Sequence, residues 1–127
     1  MAIEKDIVSY LLNQDDIAAL VGDRVYPMHL LEGTQLPAIN YMRISQERDR
    51  THNGNAMNRP MIQFSCWAKS YATVKDLAEL LIAKLDNFSN YLKGGKVTIF
   101  HRNDRDLYEP DTGYYHVPIE FEIYEEN

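Results

Sequence analysis

The chain has 127 residues, 45% hydrophobic and 25% charged, a balance that predicts one globular domain over 1–127 and excludes a disordered tail. Its net charge of -6 is spread along the sequence and argues against a nucleic-acid backbone as the main partner, because that role needs a concentrated basic face. A single cysteine, Cys66, can build neither an internal disulfide nor a thiolate zinc cluster, so the fold is expected to rest on packing and to suit a reducing compartment. Glu4, Asp6, Asp15 and Asp16 interrupt the uncharged run that a signal peptide requires. Apolar runs such as Leu80 to Ala83 fall far short of the roughly 20 residues that span a bilayer. Neither export nor a membrane anchor is expected.

Ile3, Ile7, Val8, Leu11 and Leu12 recur at helical spacing and predict an opening amphipathic helix from about Ile3 to Asn13. Asp15 or Asp16 can cap a short second helix, Ile17 to Val21, which Gly22 can end in a left-handed conformation. Extended chain begins at Arg24 to Tyr26, and Pro27, Gly33 and Pro37 punctuate the connection that follows. Ala38 to Ser45 and Met61 to Ala68 read as two strands. In the second, Ile62, Phe64, Cys66 and Ala68 share one face, while Met61, Gln63, Ser65 and Trp67 share the other. Between them, Gln46 to Arg59 is polar and is expected to be a long exposed loop.

Ser70 can cap the next helix, in which Val74, Leu77, Ala78, Leu81, Leu85 and Phe88 form an apolar stripe. Gly94 and Gly95 turn the chain into a strand over Lys96 to Arg102, and a second polar loop is expected from Asn103 to Gly113. In the last strand Tyr115, Val117, Ile119, Phe121 and Ile123 face one way, and His116, Pro118, Glu120, Glu122 and Tyr124 the other. Pro118 has no amide donor, which suggests a bulge or a sheet edge, and an edge position is the reading preferred here. The order of elements predicts an α+β fold: an antiparallel sheet of about four main strands, with the N-terminal helix and one long helix packed on one face.

The residues that could carry chemistry read more simply as structure. His29, His52, His101 and His116 lack metal-ligand spacing. Asp104, Asp106, Glu109 and Asp111, with His101 nearby, could hold a divalent cation for phosphodiester hydrolysis. Arg102 and Arg105 interleave with these acids, however, and Pro110 to Gly113 is turn chemistry, so the segment reads as a solvated hairpin tip. Cys66 reads as a buried thiol. Neither a phosphate-binding glycine loop nor a serine elbow occurs, and no catalytic, cofactor-binding or metal-binding residue is assigned.

More distinctive are the nine tyrosines and two charged loops. Tyrosine suits protein interfaces, yet it also lines sheets and rims cores, and both roles stay open. The candidate interface residues are Glu47, Arg48, Asp49, Arg50, His52, Asn53 and Arg59 in the first loop. In the second they are Arg102, Asp104, Arg105, Asp106, Glu109 and Asp111.

Several segments in order carry a resemblance. They are Ile17-Ala-Ala-Leu-Val-Gly-Asp-Arg-Val-Tyr-Pro27, Leu36-Pro-Ala-Ile-Asn-Tyr-Met-Arg-Ile-Ser45, Met61-Ile-Gln-Phe-Ser-Cys-Trp-Ala-Lys-Ser-Tyr71 with Leu77 and Ala78, and Asp111-Thr-Gly-Tyr-Tyr115. Together they resemble the tail completion, or tail terminator, family of long-tailed phages. The resemblance implies a small non-enzymatic subunit, acting without a cofactor, that forms a ring, expected to be a hexamer, at the head-proximal end of the tail tube. The implied partners are further copies of itself, the tail tube protein and the head connector, with DNA only passing through the lumen. The implied location is the virion tail, after assembly in the bacterial cytoplasm. A small metal-dependent enzyme and a monomeric head-tail adaptor are the rival readings.

Overall fold

A computed structural model describes residues 3–50, 56–92 and 95–126, with residues 48–50, 56 and 57 described by backbone alone. Helix α1 spans Ile3–Leu12 and α2 spans Asp15–Val21, followed by strands β1 (Val25–Pro27), β2 (Ala38–Arg50) and β3 (Ala56–Ala68). Helix α3 spans Tyr71–Leu85, and β4 (Phe88–Leu92), β5 (Gly95–Asp104), β6 (Leu107–Glu109) and β7 (Tyr114–Glu126) complete the order. The strands form one seven-stranded sheet in the order β1-β2-β3-β7-β5-β4, with β6 alongside β7. The fold is α+β. The sheet is larger than the four strands expected and is mixed, because β1 pairs with β2 in parallel.

Period two on the central strands decides where the core lies. Ile62, Phe64, Cys66 and Ala68 of β3 are buried, as are Val117, Ile119, Phe121 and Ile123 of β7. Register pairs Phe64 with Ile119 and Ile62 with Phe121, so these side chains share one face. Ile39, Val97 and Ile99 extend that face, and Ile3, Ile7 and Leu11 of α1, Ile17 and Val21 of α2 and Val74, Leu77, Leu81 and Leu85 of α3 cover it. The helices form because their apolar positions repeat every three to four residues. Ser70 caps α3 by accepting a bond from the Thr73 amide at 3.1 Å. Gly22 ends α2 at φ 61, a conformation that costs glycine little, and its amide donates to the Ala18 carbonyl.

Four expectations need correction. Most of Gln46 to Arg59 is strand rather than loop: β2 and β3 stay paired from Gln46 opposite Pro60 to Arg50 opposite Ala56. Backbone pairing needs no apolar side chains, and β7 flanks β3 as far as Met57 opposite Glu126, which gives β2 a supported edge to follow. Asn103 to Gly113 is also largely ordered, since β5 continues through Asp104 and β6 pairs Leu107–Glu109 with Tyr114–His116, leaving a turn at 110–113.

Pro118 lies in the central strand β7, not at an edge. Pairing on that side of β7 stops at Asp104 opposite Ile119 and resumes at Leu107 opposite His116. The missing amide therefore faces a break in the ladder, where the Pro118 carbonyl accepts from the Arg105 amide at 3.3 Å. Phe88 belongs to β4 rather than α3. Asn87 adopts φ 63 and turns the chain, so Phe88 packs edge-on against Tyr10 with ring centroids 4.8 Å apart.

The core ranks substitutions by burial. Phe121→Ala should cost about 3–5 kcal/mol of folding free energy in urea titration. Ser70→Ala, which removes only a helix cap, should cost about 1 kcal/mol.

Candidate assembly interface

Among the described residues, helices cover one face of the sheet and leave the other without them. The second face carries Asn40 and Met42 from β2, Gln63, Ser65 and Trp67 from β3, and His116, Glu120, Glu122 and Tyr124 from β7. Its charges pair across strands. Glu122 accepts from Arg102, which stands at a register shift in β5, and Arg105 reaches Glu120 at 3.8 Å. The Arg102 guanidinium also lies 5.4 Å from the centroid of the Phe100 ring, which itself meets Tyr124 edge-on.

At the end of this face where β7 begins, the indole of Trp67 stacks on His116, with centroids 4.0 Å apart and planes 12° from parallel. Trp67 Nε1 donates to Asn40 Oδ1 at 2.6 Å, and Asn40 Nδ2 donates to the Met28 carbonyl at 2.7 Å. Met28 is held at φ 70 with its amide on the Tyr41 carbonyl, a conformation that strains a residue with a side chain. The chain beyond Met28 rises from the sheet and encloses a cleft of about 510 Å³ between the loop 29–36, Asn40, Trp67 and the β6–β7 turn. Burial holds the His116 pKa below its ordinary value, against a smaller upward pull from Glu109 and with a smaller downward push from Arg105.

The predicted interface residues do not gather into one site. Glu47 and Arg59 form an ion pair at 3.0 Å across the β2–β3 hairpin. Arg48, Asp49 and Arg50 continue along β2, while His52 and Asn53 lie outside the described residues. In the second group Asp104 contacts the His101 ring at 2.8 Å. Asp106 accepts from the Tyr71 hydroxyl at 2.7 Å and from Lys75 at 3.0 Å, and these two bonds hold its carboxyl below the usual range. Glu109 accepts from Thr112, and Asp111 is exposed in the turn. The acids are thus split among cationic and hydroxyl partners. Among the described residues no group of three or more His, Cys, Asp or Glu is placed to hold a metal ion.

What sequence reading missed is the cleft and the aromatic surface beside it. Tyr108 and Tyr71 flank Tyr115 at centroid distances of 4.8 and 5.9 Å, and both are about half exposed. The adjacent Leu30 and Leu31, in a stretch bounded by Pro27 and Pro37, were the available signal.

The comparisons agree with this architecture. A chain of the solved structure described as "Virion of native gene transfer agent (GTA) particle" has the same fold, with a TM-score of 0.71 and 18% identity over 99% of this chain and 96% of that one. A search of curated proteins finds no match. The family described as tail completion protein gp17 matches residues 5–126, which defines a structural protein of phage-type virion tails rather than an enzyme. The chain belongs to the tail completion protein gp17 family.

Two solution measurements follow from this geometry. The folded state disfavours protonated His116, so its contribution to stability is full above the unfolded value of about 6.5 and declines as pH falls through it. The stability difference between wild type and His116→Phe should therefore shift in favour of the variant between about pH 7.5 and 5.5, and parallel curves would refute it. Cys66 is fully buried, and burial pushes its thiol pKa up, so thiol reagents should label it only as fast as the chain unfolds.

Proposed function

We propose that this chain works by geometry, with copies closing into a ring, expected to be a hexamer, on the head-proximal end of the tail tube. The ring ends tube growth and offers its outer surface to the head connector, while DNA passes through the lumen. Assembly takes place in the host bacterial cytoplasm. Membership of the tail completion family over residues 5–126 carries this reading.

The shape of the subunit supports it. A head-to-tail ring needs two unlike surfaces on one molecule. The sheet ends in β1 on one side and β4 on the other, and among the described residues its second face carries no helix. The β2–β3 hairpin, with Glu47, Arg48, Asp49, Arg50 and Arg59, serves as a contact arm toward the tube or the connector. Arg102, Asp104, Arg105, Asp106, Glu109 and Asp111 supply polar contacts around the β6–β7 turn. Such charges set register and reject wrong partners more than they add affinity.

Particles assembled without the chain should show heads and tails unjoined and tubes of uneven length under the electron microscope. Joined particles at normal yield would overturn the proposal. Reversing Arg48 and Arg50 together should leave the fold intact while lowering the yield of joined particles. Unchanged yield would remove the hairpin from the contact.

A further inference from the structure

The cleft beside Trp67 has a largely apolar lining and an acidic rim. Its inner wall is set by the hydrogen-bonded series Trp67, Asn40 and Met28, and Tyr114 closes the side toward β7. Among the described residues Glu32 and Glu109 are its carboxylates, and neither Lys nor Arg lines it. Leu31 stands at the mouth with 72% of its surface exposed, an apolar side chain that water alone covers poorly. The volume of about 510 Å³ is of the size that takes an aromatic side chain together with its neighbours.

The opposite corner of the sheet carries the complementary shape. The cleft lies where β2 and β7 begin, whereas Tyr91 lies at the end of the outer strand β4, near the close of β7, where Val97 of β5 pairs with Glu125. Tyr91 is 75% exposed, the highest value among the large hydrophobic side chains of the described residues. Lys96 is its register partner on β5, so the phenol and the ammonium group occupy the same face of the hairpin.

We infer that the cleft at Trp67 receives Tyr91 of a second copy, with Lys96 of that copy set against Glu32 and Glu109. This inference rests on the ring reading and names the contact that closes the ring. Knob and cleft are separate patches at diagonal corners of the sheet, so a contact in which each copy gives its knob to the next is heterologous and propagates from copy to copy. A tyrosine anchored in a dry pocket and rimmed by opposite charges is the usual make-up of an energetic hot spot.

The test is oxidative crosslinking in assembled tails carrying the Gln35→Cys, Ser89→Cys double variant, whose thiols flank the cleft and Tyr91 and leave both in place. Both positions are exposed and the native Cys66 is buried, so folding and background should be unaffected. A ladder of multiples of the chain is expected from the double variant and none from either single variant. Rings visible on the tails without a ladder would overturn this contact and leave the ring reading standing. A crosslink that stops at the dimer, or one from position 35 to a different tail protein, would likewise overturn it. Tails without rings would overturn both readings. As a second readout, Lys96→Glu or Glu109→Lys alone should weaken self-association roughly tenfold, and the two together should restore it. Additive losses would count against the pairing.

Discussion

The antiparallel pairing of β3 with β7 is the constraint on which the rest of the structure depends. It joins Met57–Ala68 to Tyr115–Glu126 through the middle of the sheet and aligns the buried side chains of both strands on one face. A slip of one residue would leave one apolar set in place and carry the other, Ile62, Phe64 and Cys66 or Val117, Ile119 and Phe121, to the opposite face. The helices would then cover only part of the apolar surface that they now bury. Every other strand is added to this pair: β2 outside β3, β5 and β6 outside β7, and β1 and β4 at the margins.

Burying one face of such a sheet leaves the second face for other uses. On it the residues alternate between carboxylates, amides and aromatic rings, and the ion pairs of Arg102 with Glu122 and Arg105 with Glu120 cross between strands. Surface ion pairs contribute little to stability and more to the selection of partners. The tyrosines divide by environment. Tyr10, Tyr41 and Tyr115 pack against the core, whereas Tyr26, Tyr71, Tyr91 and Tyr108 are exposed.

Strain at Met28 fits the same division of labour. A positive φ at a residue with a side chain persists because two hydrogen bonds, to Tyr41 and from Asn40, pin the backbone there. The result is a loop lifted away from the sheet, with a cleft beneath it that a relaxed strand would not form.

Much of this was legible in the residues themselves. Helical spacing located α1 and α3, the Ser70 cap marked where α3 begins, and period two assigned the buried faces of β3 and β7. The joint order of Val21-Gly-Asp-Arg-Val-Tyr-Pro27 and Cys66-Trp-Ala-Lys-Ser-Tyr71 led to the family. These signals are local, because each arises from neighbours within a turn of helix or a few residues of strand. The polar length of the β2–β3 hairpin, the central place of Pro118, the departure of Phe88 from α3 and the cleft at Trp67 were decided only by tertiary structure. In each case the deciding partner is distant along the chain: β7 beside the hairpin, Arg105 at the Pro118 carbonyl, Tyr10 against Phe88, and the β6–β7 turn across from Asn40. Backbone hydrogen bonding and shape are indifferent to local hydrophobic pattern, so a polar segment becomes strand wherever the fold brings it a free edge.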